Sequence, residues 1–300
     1  MSGMAFLPSP VVVRVPATSA NLGPGFDALG LALTLYDVVE ARVTGGGVSV
    51  EVSGEGAGDL PSDESHLVVR AMRRAFEVLG ERPAGLALRC RNGIPQARGL
   101  GSSSAAIVAG IVLARGLVTD GAARMDDAAA LVLADAIEGH PDNVAPCLLG
   151  GFTIAWTGER GASAVRREPD PRIRPVVFVP EERGLTETAR AALPKTVPHA
   201  DAAFNAGRAA LLVHALTGDP DRLFAATEDR LHQDYRADGM PFTADLVARL
   251  RGEGVAAVVS GAGPSVLAFG VDGRTPPAVP GWRVLPLDVD VVGARLGGAA

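Results

Sequence analysis

Ile-Pro-Gln-Ala-Arg-Gly-Leu-Gly-Ser-Ser-Ser-Ala, residues 94–105, separates two apolar segments of different type. The shorter segment, Leu86–Cys90, predicts a strand, and the longer one, Ala105–Ala114, predicts a buried helix. Gly99 and Gly101 allow a positive φ or a close approach of the backbone to a ligand. A helix that begins here directs unpaired N–H groups and the positive end of its dipole at the loop, which favours a phosphate. The alternative interpretation is a capped turn before a buried helix.

The three serines that follow, Ser102–Ser104, supply hydroxyl groups and predict a helix N-cap. The loop differs from the P-loop, which has a lysine after its second glycine, because the only lysine of the chain is Lys195. A protein-kinase site is excluded too, since it needs a lysine on a strand for the phosphates. A nucleotide bound here would therefore rely on backbone N–H groups, hydroxyl groups, an arginine and a metal ion.

The amino-acid composition limits the classes of function that the chain can have. The chain has 300 residues, enough for two domains, and 47% of them are hydrophobic. Its net charge of −6 argues against a general nucleic-acid or membrane-surface binder. Cys90 and Cys147 lie in apolar surroundings and lack a CxxC spacing, which indicates buried reduced thiols. Without a signal peptide or a membrane-spanning run, we expect a cytoplasmic protein with no nucleic-acid or membrane partner.

The order of the apolar runs predicts an α+β fold, since strand runs precede helices without strict alternation. Val38–Val43 and Val48–Val52 flank three glycines and predict a β-hairpin. Leu67–Leu79 has helical spacing and would end at Gly80. Residues 157–172 are polar and rich in arginine, glycine and proline, so we place the domain junction there, with domains 1–160 and 161–300.

Two polar segments carry candidate recognition groups. In the loop of residues 17–27, Asn21 and Asp27 are the only strong side-chain recognition groups, although both residue types also form turns. In the segment of residues 138–144, Glu138, His140 and Asp142 could suggest zinc, but one histidine without a cysteine does not favour it. Mg²⁺ needs only one or two protein oxygens besides phosphate oxygens. One carboxylate here and one serine hydroxyl of the central loop would suffice, and a plain polar turn is the alternative.

Residues 16–33, 94–106 and 260–269 stand in the order of the three motifs of the GHMP kinases, which the chain resembles. Members phosphorylate galactose, homoserine, mevalonate and phosphomevalonate. Within this superfamily, PATSANLGPGFDALGLAL and EGHPDNVAPCLLGGF are similar to the homoserine kinase family. The resemblance implies a two-domain α+β fold, with an N-terminal ribosomal-protein-like domain containing a left-handed crossover and a C-terminal ferredoxin-like domain. It also implies phosphorylation of the side-chain hydroxyl of L-homoserine by Mg·ATP, in threonine biosynthesis.

The resemblance also implies a nucleotide site. Ser103 and Glu138 correspond to the Mg²⁺ ligands, and His66 stands near the adenine where family members often have asparagine. The residues that would wrap the ATP phosphates are Pro95, Gln96, Ala97, Arg98, Gly99, Leu100, Gly101, Ser102, Ser103, Ser104 and Ala105.

For the substrate, the resemblance implies a further set of contacts. Asp27 would face the ammonium group, Arg190 and Arg236 the carboxylate, and Asn143 the acceptor hydroxyl. The two remaining substrate contacts are Asn21 and His140. Asp142 aligns with the base of mevalonate kinases and is assigned a supporting role, since homoserine kinases are thought to work without a base.

Two other functions stay open at this point. The chain could be a GHMP kinase for another hydroxyl substrate, although mevalonate has no ammonium group to pair with Asp27. It could also be a catalytically silent binding protein on the same fold, but such a protein should have lost site residues, and all of them are present. The sequence leaves the oligomeric state open, a homodimer included.

Overall fold

The computed structural model describes residues 5–184, 186–273 and 279–297. Its strands are β1 (Val11–Ala20), β2 (Leu29–Thr44), β3 (Gly47–Gly54), β4 (Gly85–Asn92), β5 (Phe152–Gly158), β6 (Gly161–Arg167), β7 (Ile173–Val179), β8 (Ala256–Val259), β9 (Val266–Val271), β10 (Arg283–Pro286) and β11 (Arg295–Leu296). Its α-helices are α1 (Leu67–Leu79), α2 (Ser102–Leu117), α3 (Gly121–Arg124), α4 (Asp127–Glu138), α5 (Pro141–Leu149), α6 (Thr186–Ala191), α7 (His199–Gly218), α8 (Leu223–Ala226), α9 (Gln233–Arg236) and α10 (Pro241–Gly252). The predicted α+β class is confirmed.

The first sheet has the strand order β11-β1-β2-β4-β3, and the β5–β6 hairpin joins it through β2. The predicted hairpin between 38–43 and 48–52 is wrong, because β4 lies between β2 and β3. β3 pairs with β4 in parallel and is connected to it through α1. The physical reason is burial: β4 carries more apolar side chains and takes the inner position, whereas the half-exposed β3 takes the edge.

The second sheet is antiparallel, with the order β10-β7-β9-β8. Leu246 and Leu250 of α10 pack against it in a small separate core, while Leu267 belongs to the main core that continues under the first sheet. The polar stretch 157–172 is not a plain junction, because it contains β6, which pairs with β5 across residue 160. Chain segments on both sides of that residue therefore share one sheet, and the division into 1–160 and 161–300 stays a prediction.

Helix α2 sets the position of the central loop. It lies in the core, and Gly110 allows α1 to cross closely, since a Cβ there would overlap the carbonyl oxygen of Val68. The helix begins after Gly101, which has φ 68° and acts as the N-cap without a side-chain hydrogen bond. The predicted serine N-cap is therefore wrong: Ser102–Ser104 form the first helical turn, and their hydroxyl groups are left for other partners.

No helix within the described ranges is long and apolar enough to cross a membrane.

Candidate functional site

A cavity of about 410 Å³ lies where the three sequence motifs and the start of α5 meet. It is lined by side chains from the loop after β1, the loop before α2, the α4–α5 junction and the segment around α6. The predicted residues on its wall are Asn21, Asp27, His66, Gln96, Ala97, Gly99, Gly101, Ser102, Ser103, Ala105, Glu138, His140, Asn143, Arg190 and Arg236. Residues far apart in the sequence are thus brought to one site.

Four predicted loop residues, Pro95, Arg98, Leu100 and Ser104, do not line the cavity. Arg98 is the informative case, because its guanidinium donates to the carbonyl oxygens of Gln96 at 2.8 Å and Glu181 at 2.6 Å. These bonds fix the shape of the loop. Its role toward a phosphate, expected from the sequence, stays a prediction that this geometry does not favour.

The two glycines of the central loop are required by close packing. A Cβ on Gly99 would overlap the carbonyl oxygen of Ser260, and one on Gly101 would overlap the hydroxyl oxygen of Thr18. Both glycines have φ 68°. The Ser260 hydroxyl donates to the Gly99 carbonyl oxygen at 2.7 Å, so the third motif supports the loop from behind. The first N–H groups of α2 are left facing the cavity, a suitable place for phosphate oxygens.

The carboxylate of Glu138 lies beside the first turn of α2. It accepts hydrogen bonds from the hydroxyl groups of Ser103 and Ser104, each at 2.8 Å. Ser103 Oγ and Glu138 Oε2 are close enough to share one cation, and hard oxygen donors suit Mg²⁺. Among the described residues there is no cluster of three or more His, Cys, Asp or Glu side chains for a metal. The residues therefore fit an ion that takes its remaining ligands from phosphate and water.

Asp27 and Arg190 form a two-pronged ion pair in the cavity. The guanidinium donates to the two carboxylate oxygens at 3.0 and 2.7 Å. Asp27 has φ 54° and is held by Asn21, whose Oδ1 accepts its backbone N–H at 2.9 Å. Leu22 also has a positive φ, 51°, a strained conformation for a leucine, and such strain concentrates at functional sites.

Arg236 lies next to this pair and is almost completely buried. Its Nε donates to the carbonyl oxygen of Ala189 at 3.1 Å. Its Nη1 lies 3.1 Å from Nδ1 of His232 and 3.4 Å from the carbonyl oxygen of Gly261. Burial, and then the nearby Arg190, lower the pKa of Arg236. The guanidinium groups of Arg190 and Arg236 lie in one part of the cavity, among the carboxylates of Asp27, Asp142 and Asp229. Their planar forks suit an anionic group of a ligand.

His140 and Asp142 form a second pair at the start of α5. Their Nδ1 and Oδ1 atoms are 2.6 Å apart, and Asp142 is buried. Burial opposes the charged imidazole, but the hydrogen bond and charge of Asp142, together with Glu138, raise the pKa of His140 overall. Asp142 thus orients the ring, which leaves Nε2 of His140 for a ligand.

Thr18 is a site residue that the sequence analysis missed. Its buried hydroxyl donates to Oδ1 of Asn143 at 2.8 Å. Because Oδ1 is the only acceptor of the amide, this bond directs the amide N–H donors elsewhere, with one of them 3.5 Å from Asp142. No local signal marks Thr18, since its partner is 125 residues away.

His66 caps α1 at the far end of the cavity. Its Nδ1 accepts the backbone N–H of Val68 at 3.3 Å, and its Nε2 is buried with no hydrogen-bond partner among the described residues. Burial lowers the pKa of His66, so the ring is held neutral with its proton on Nε2. An unpaired buried donor at a cavity wall is the kind of group that a ligand acceptor satisfies.

Asp37 was also missed by the sequence analysis, and it fixes the start of the central loop. Its Oδ1 accepts the backbone N–H groups of Gly93 and Ile94 at 2.8 and 2.9 Å. Burial raises its pKa from 3.8 to about 6, against the lowering effect of these bonds. The folded state therefore binds the proton more tightly than the unfolded state does, and the protonated form is the one that folding favours.

We expect the substitution Asp37→Asn to remove one component of the pH dependence of stability. In the wild type, this carboxyl group lowers stability as the pH rises from about 4 to about 6. The asparagine keeps an acceptor for both N–H groups and carries no charge. The free energy of unfolding of the variant, relative to wild type, should therefore increase by up to about 3 kcal/mol over this range. Urea denaturation at both ends of the range measures it, with the exposed Asp245→Asn as control. A difference in the free energy of unfolding between variant and wild type that does not change with pH would contradict the prediction.

Comparison with known proteins identifies relatives over the whole chain. The family model described as GHMP kinases N terminal domain matches residues 66–151. The homoserine kinase of Streptomyces coelicolor is 62% identical over 269 residues, covering 90% of this chain and 87% of that protein. The homoserine kinase of Streptomyces avermitilis is 57% identical over 300 residues, covering 99% and 98%. The crystal structure of homoserine kinase from Cytophaga hutchinsonii matches with a TM-score of 0.83 at 26% identity, covering 99% of each chain. The predicted GHMP kinase fold is confirmed.

Proposed function

The chain belongs to the homoserine kinase family of the GHMP kinases, and we therefore propose that it phosphorylates the side-chain hydroxyl of L-homoserine, with ATP as donor, to O-phospho-L-homoserine. The observation that carries the proposal is that Asp27, Arg190 and Arg236 share one cavity with the phosphate loop. A zwitterion needs an anion for its ammonium group and a cation for its carboxylate. The planar fork of arginine suits the second task. Threonine biosynthesis and a cytoplasmic location belong to the same proposal.

The nucleotide half of the proposal rests on the loop and on α2. When bound, Mg·ATP supplies the γ-phosphoryl group that the homoserine hydroxyl accepts. The backbone N–H groups at the start of α2 bind phosphate oxygens, and Ser103 and Glu138 hold the Mg²⁺ ion. His66 donates from Nε2 to an acceptor of the adenine, which satisfies its unpaired donor. A histidine can thus replace the asparagine that is common in the family at this position.

The part of the proposal that concerns the substrate rests on polar side chains that hydrogen bonds hold in position. Phosphoryl transfer depends more on positioning and charge neutralisation than on a strong base. The amide of Asn143, oriented by Thr18, donates to the acceptor hydroxyl oxygen. Nε2 of His140, oriented by Asp142, provides a second polar contact. Asp142 itself keeps a supporting role, because its carboxylate is already engaged by His140 and is almost completely buried.

A single assay tests this proposal. ADP release by the purified protein is measured with ATP and homoserine, mevalonate, shikimate or galactose, and the product is identified by mass spectrometry. We expect turnover with homoserine alone and a product one phosphoryl group heavier. Turnover with another alcohol would indicate a different GHMP kinase, and binding of ATP without turnover on any alcohol would indicate a silent relative.

A further inference from the structure

His232 is a completely buried histidine that lies between two parts of the candidate substrate site. It directly precedes α9, the short helix that carries Arg236. Its ring packs on Phe26, with the ring centroids 5.2 Å apart. Its two nitrogens reach in different directions: Nε2 lies 2.8 Å from the carbonyl oxygen of Gly23, and Nδ1 lies 3.1 Å from Nη1 of Arg236. The ring thus joins the loop that carries Asp27 to the arginine opposite it.

The two partners of His232 determine its protonation state. The Gly23 carbonyl oxygen can only accept, so Nε2 must carry a proton. The guanidinium of Arg236 can only donate, so Nδ1 must be unprotonated. Both contacts are satisfied only by the neutral ring with its proton on Nε2. Burial lowers the pKa of His232, in agreement with a neutral ring.

We infer that His232 is a positioning residue for substrate recognition: as a neutral hydrogen-bond acceptor, it holds the guanidinium of Arg236 in place for the carboxylate of the amino-acid substrate. The bonds to His232, Ala189 and Gly261 occupy Nε and Nη1 of Arg236. The guanidinium has five N–H donors, so the others remain for a carboxylate. This inference rests on the proposed function, because it explains how Arg236 is held in position for the carboxylate of homoserine.

Protonation of His232 would reverse its effect on Arg236. A proton on Nδ1 replaces the acceptor with a donor and places two cations against each other. Three charged groups surround the ring: Asp229, with Oδ2 at 3.6 Å from Nε2, Arg236, and the more distant Asp27. The Asp229 carboxylate is also engaged by the backbone N–H groups of Leu231, His232 and Gln233. The homoserine affinity should therefore fall at acid pH, in the range where this histidine becomes protonated.

The test compares homoserine with 3-amino-1-propanol, which has the hydroxyl and ammonium groups but no carboxylate. The variant His232→Phe keeps a ring on Phe26 but removes the acceptor for Arg236. We expect KM for homoserine to rise about tenfold to a hundredfold, with kcat changed less. The kcat/KM for 3-amino-1-propanol and the Kd for ATP, measured by calorimetry, should change by less than about threefold. The matched control is His214→Phe, at an exposed histidine on α7 outside the cavity.

A pH series with wild type and His232→Gln gives a second, independent readout, also if the phenylalanine variant does not fold. Calorimetric Kd values for homoserine are measured from about pH 8 down to about pH 4, well below the usual pKa of histidine, because burial lowers the pKa of His232. The wild-type affinity should weaken toward acid pH, and this part of the profile should be absent in the glutamine variant. His140, which also faces the substrate, is unchanged in both proteins and serves as an internal reference. An unchanged profile, or equal losses for homoserine and 3-amino-1-propanol, would overturn the inference. A wild type that does not bind homoserine would instead overturn the proposed function, and the inference with it.

Discussion

Replacing Glu138 by glutamine is expected to lower kcat by about two orders of magnitude or more, the usual loss when one strong electrostatic group is removed from a catalytic site. The amide keeps the shape of the side chain. Its oxygen can accept from one of the two serine hydroxyl groups, Ser103 or Ser104, which donate to different carboxylate oxygens, and its NH2 group can donate to the hydroxyl oxygen of the other. It lacks the negative charge that would oppose Mg²⁺. The measurement is kcat with homoserine over a full Mg²⁺ titration.

This substitution should not destabilise the folded state. Glu138 is the last residue of α4, where the helix dipole disfavours a negative charge. A carboxylate at this position is therefore better explained by function than by stability. The thermal midpoint without ligand should stay the same or rise slightly, and Glu77→Gln, on the exposed face of α1, is the control. Wild-type turnover of Glu138→Gln at saturating Mg²⁺ would show that the metal ligand lies elsewhere.

The second large effect is expected on substitution of Arg190, and the direction of the change in kcat/KM should depend on the substrate. Arg190 is bonded to both oxygens of Asp27, the carboxylate proposed to bind the substrate ammonium group. A zwitterionic substrate can substitute for this ion pair, because its ammonium group binds Asp27 while its carboxylate binds Arg190. An ammonium-only substrate must instead separate the pair and leave Arg190 without an anion.

For Arg190→Gln, we therefore expect kcat/KM for homoserine to fall about tenfold to a hundredfold, the effect of losing a charged hydrogen bond of about 1.5–3 kcal/mol. For 3-amino-1-propanol, kcat/KM should stay constant or rise, because Asp27 becomes available. Arg183→Gln is the matched control, since Arg183 pairs with Asp59 outside this cavity. Equal losses on both substrates, or a loss confined to ATP affinity, would rule out the proposed carboxylate contact.

The sequence predicted which residues line the cavity more accurately than it predicted the order of the strands in the first sheet. Helix α1 and its end at Gly80 follow from local spacing, and both are confirmed. The position of β4 between β2 and β3 depends on which strand buries more apolar surface, a competition that a local pattern does not record. The glycines at 45–47 were compatible with a hairpin as well as with the connection that forms, which passes the start of β4.

The missed site residues share one property: each contacts at least one residue that is distant in the sequence. Thr18 bonds to Asn143, and His232 joins Gly23 to Arg236. A threonine, or a histidine before a short helix, is unremarkable in the sequence, and only the tertiary contacts give it a role. The motif residues were easier to find because their types, such as Glu138 or Arg190, already suggest an ionic partner.

The support of Gly99 by Ser260 also determines when the nucleotide site can form during synthesis of the chain. The two residues are 161 positions apart, and Gly261 bonds back to Ala20 as well. A nascent chain that has emerged only through α2 contains every residue of the phosphate loop but lacks the segment behind it. Since domains generally fold as units during translation, we expect ATP to bind only after residues up to about Ser265 have left the ribosome. Nucleotide binding should thus arise late, together with the substrate pocket rather than ahead of it.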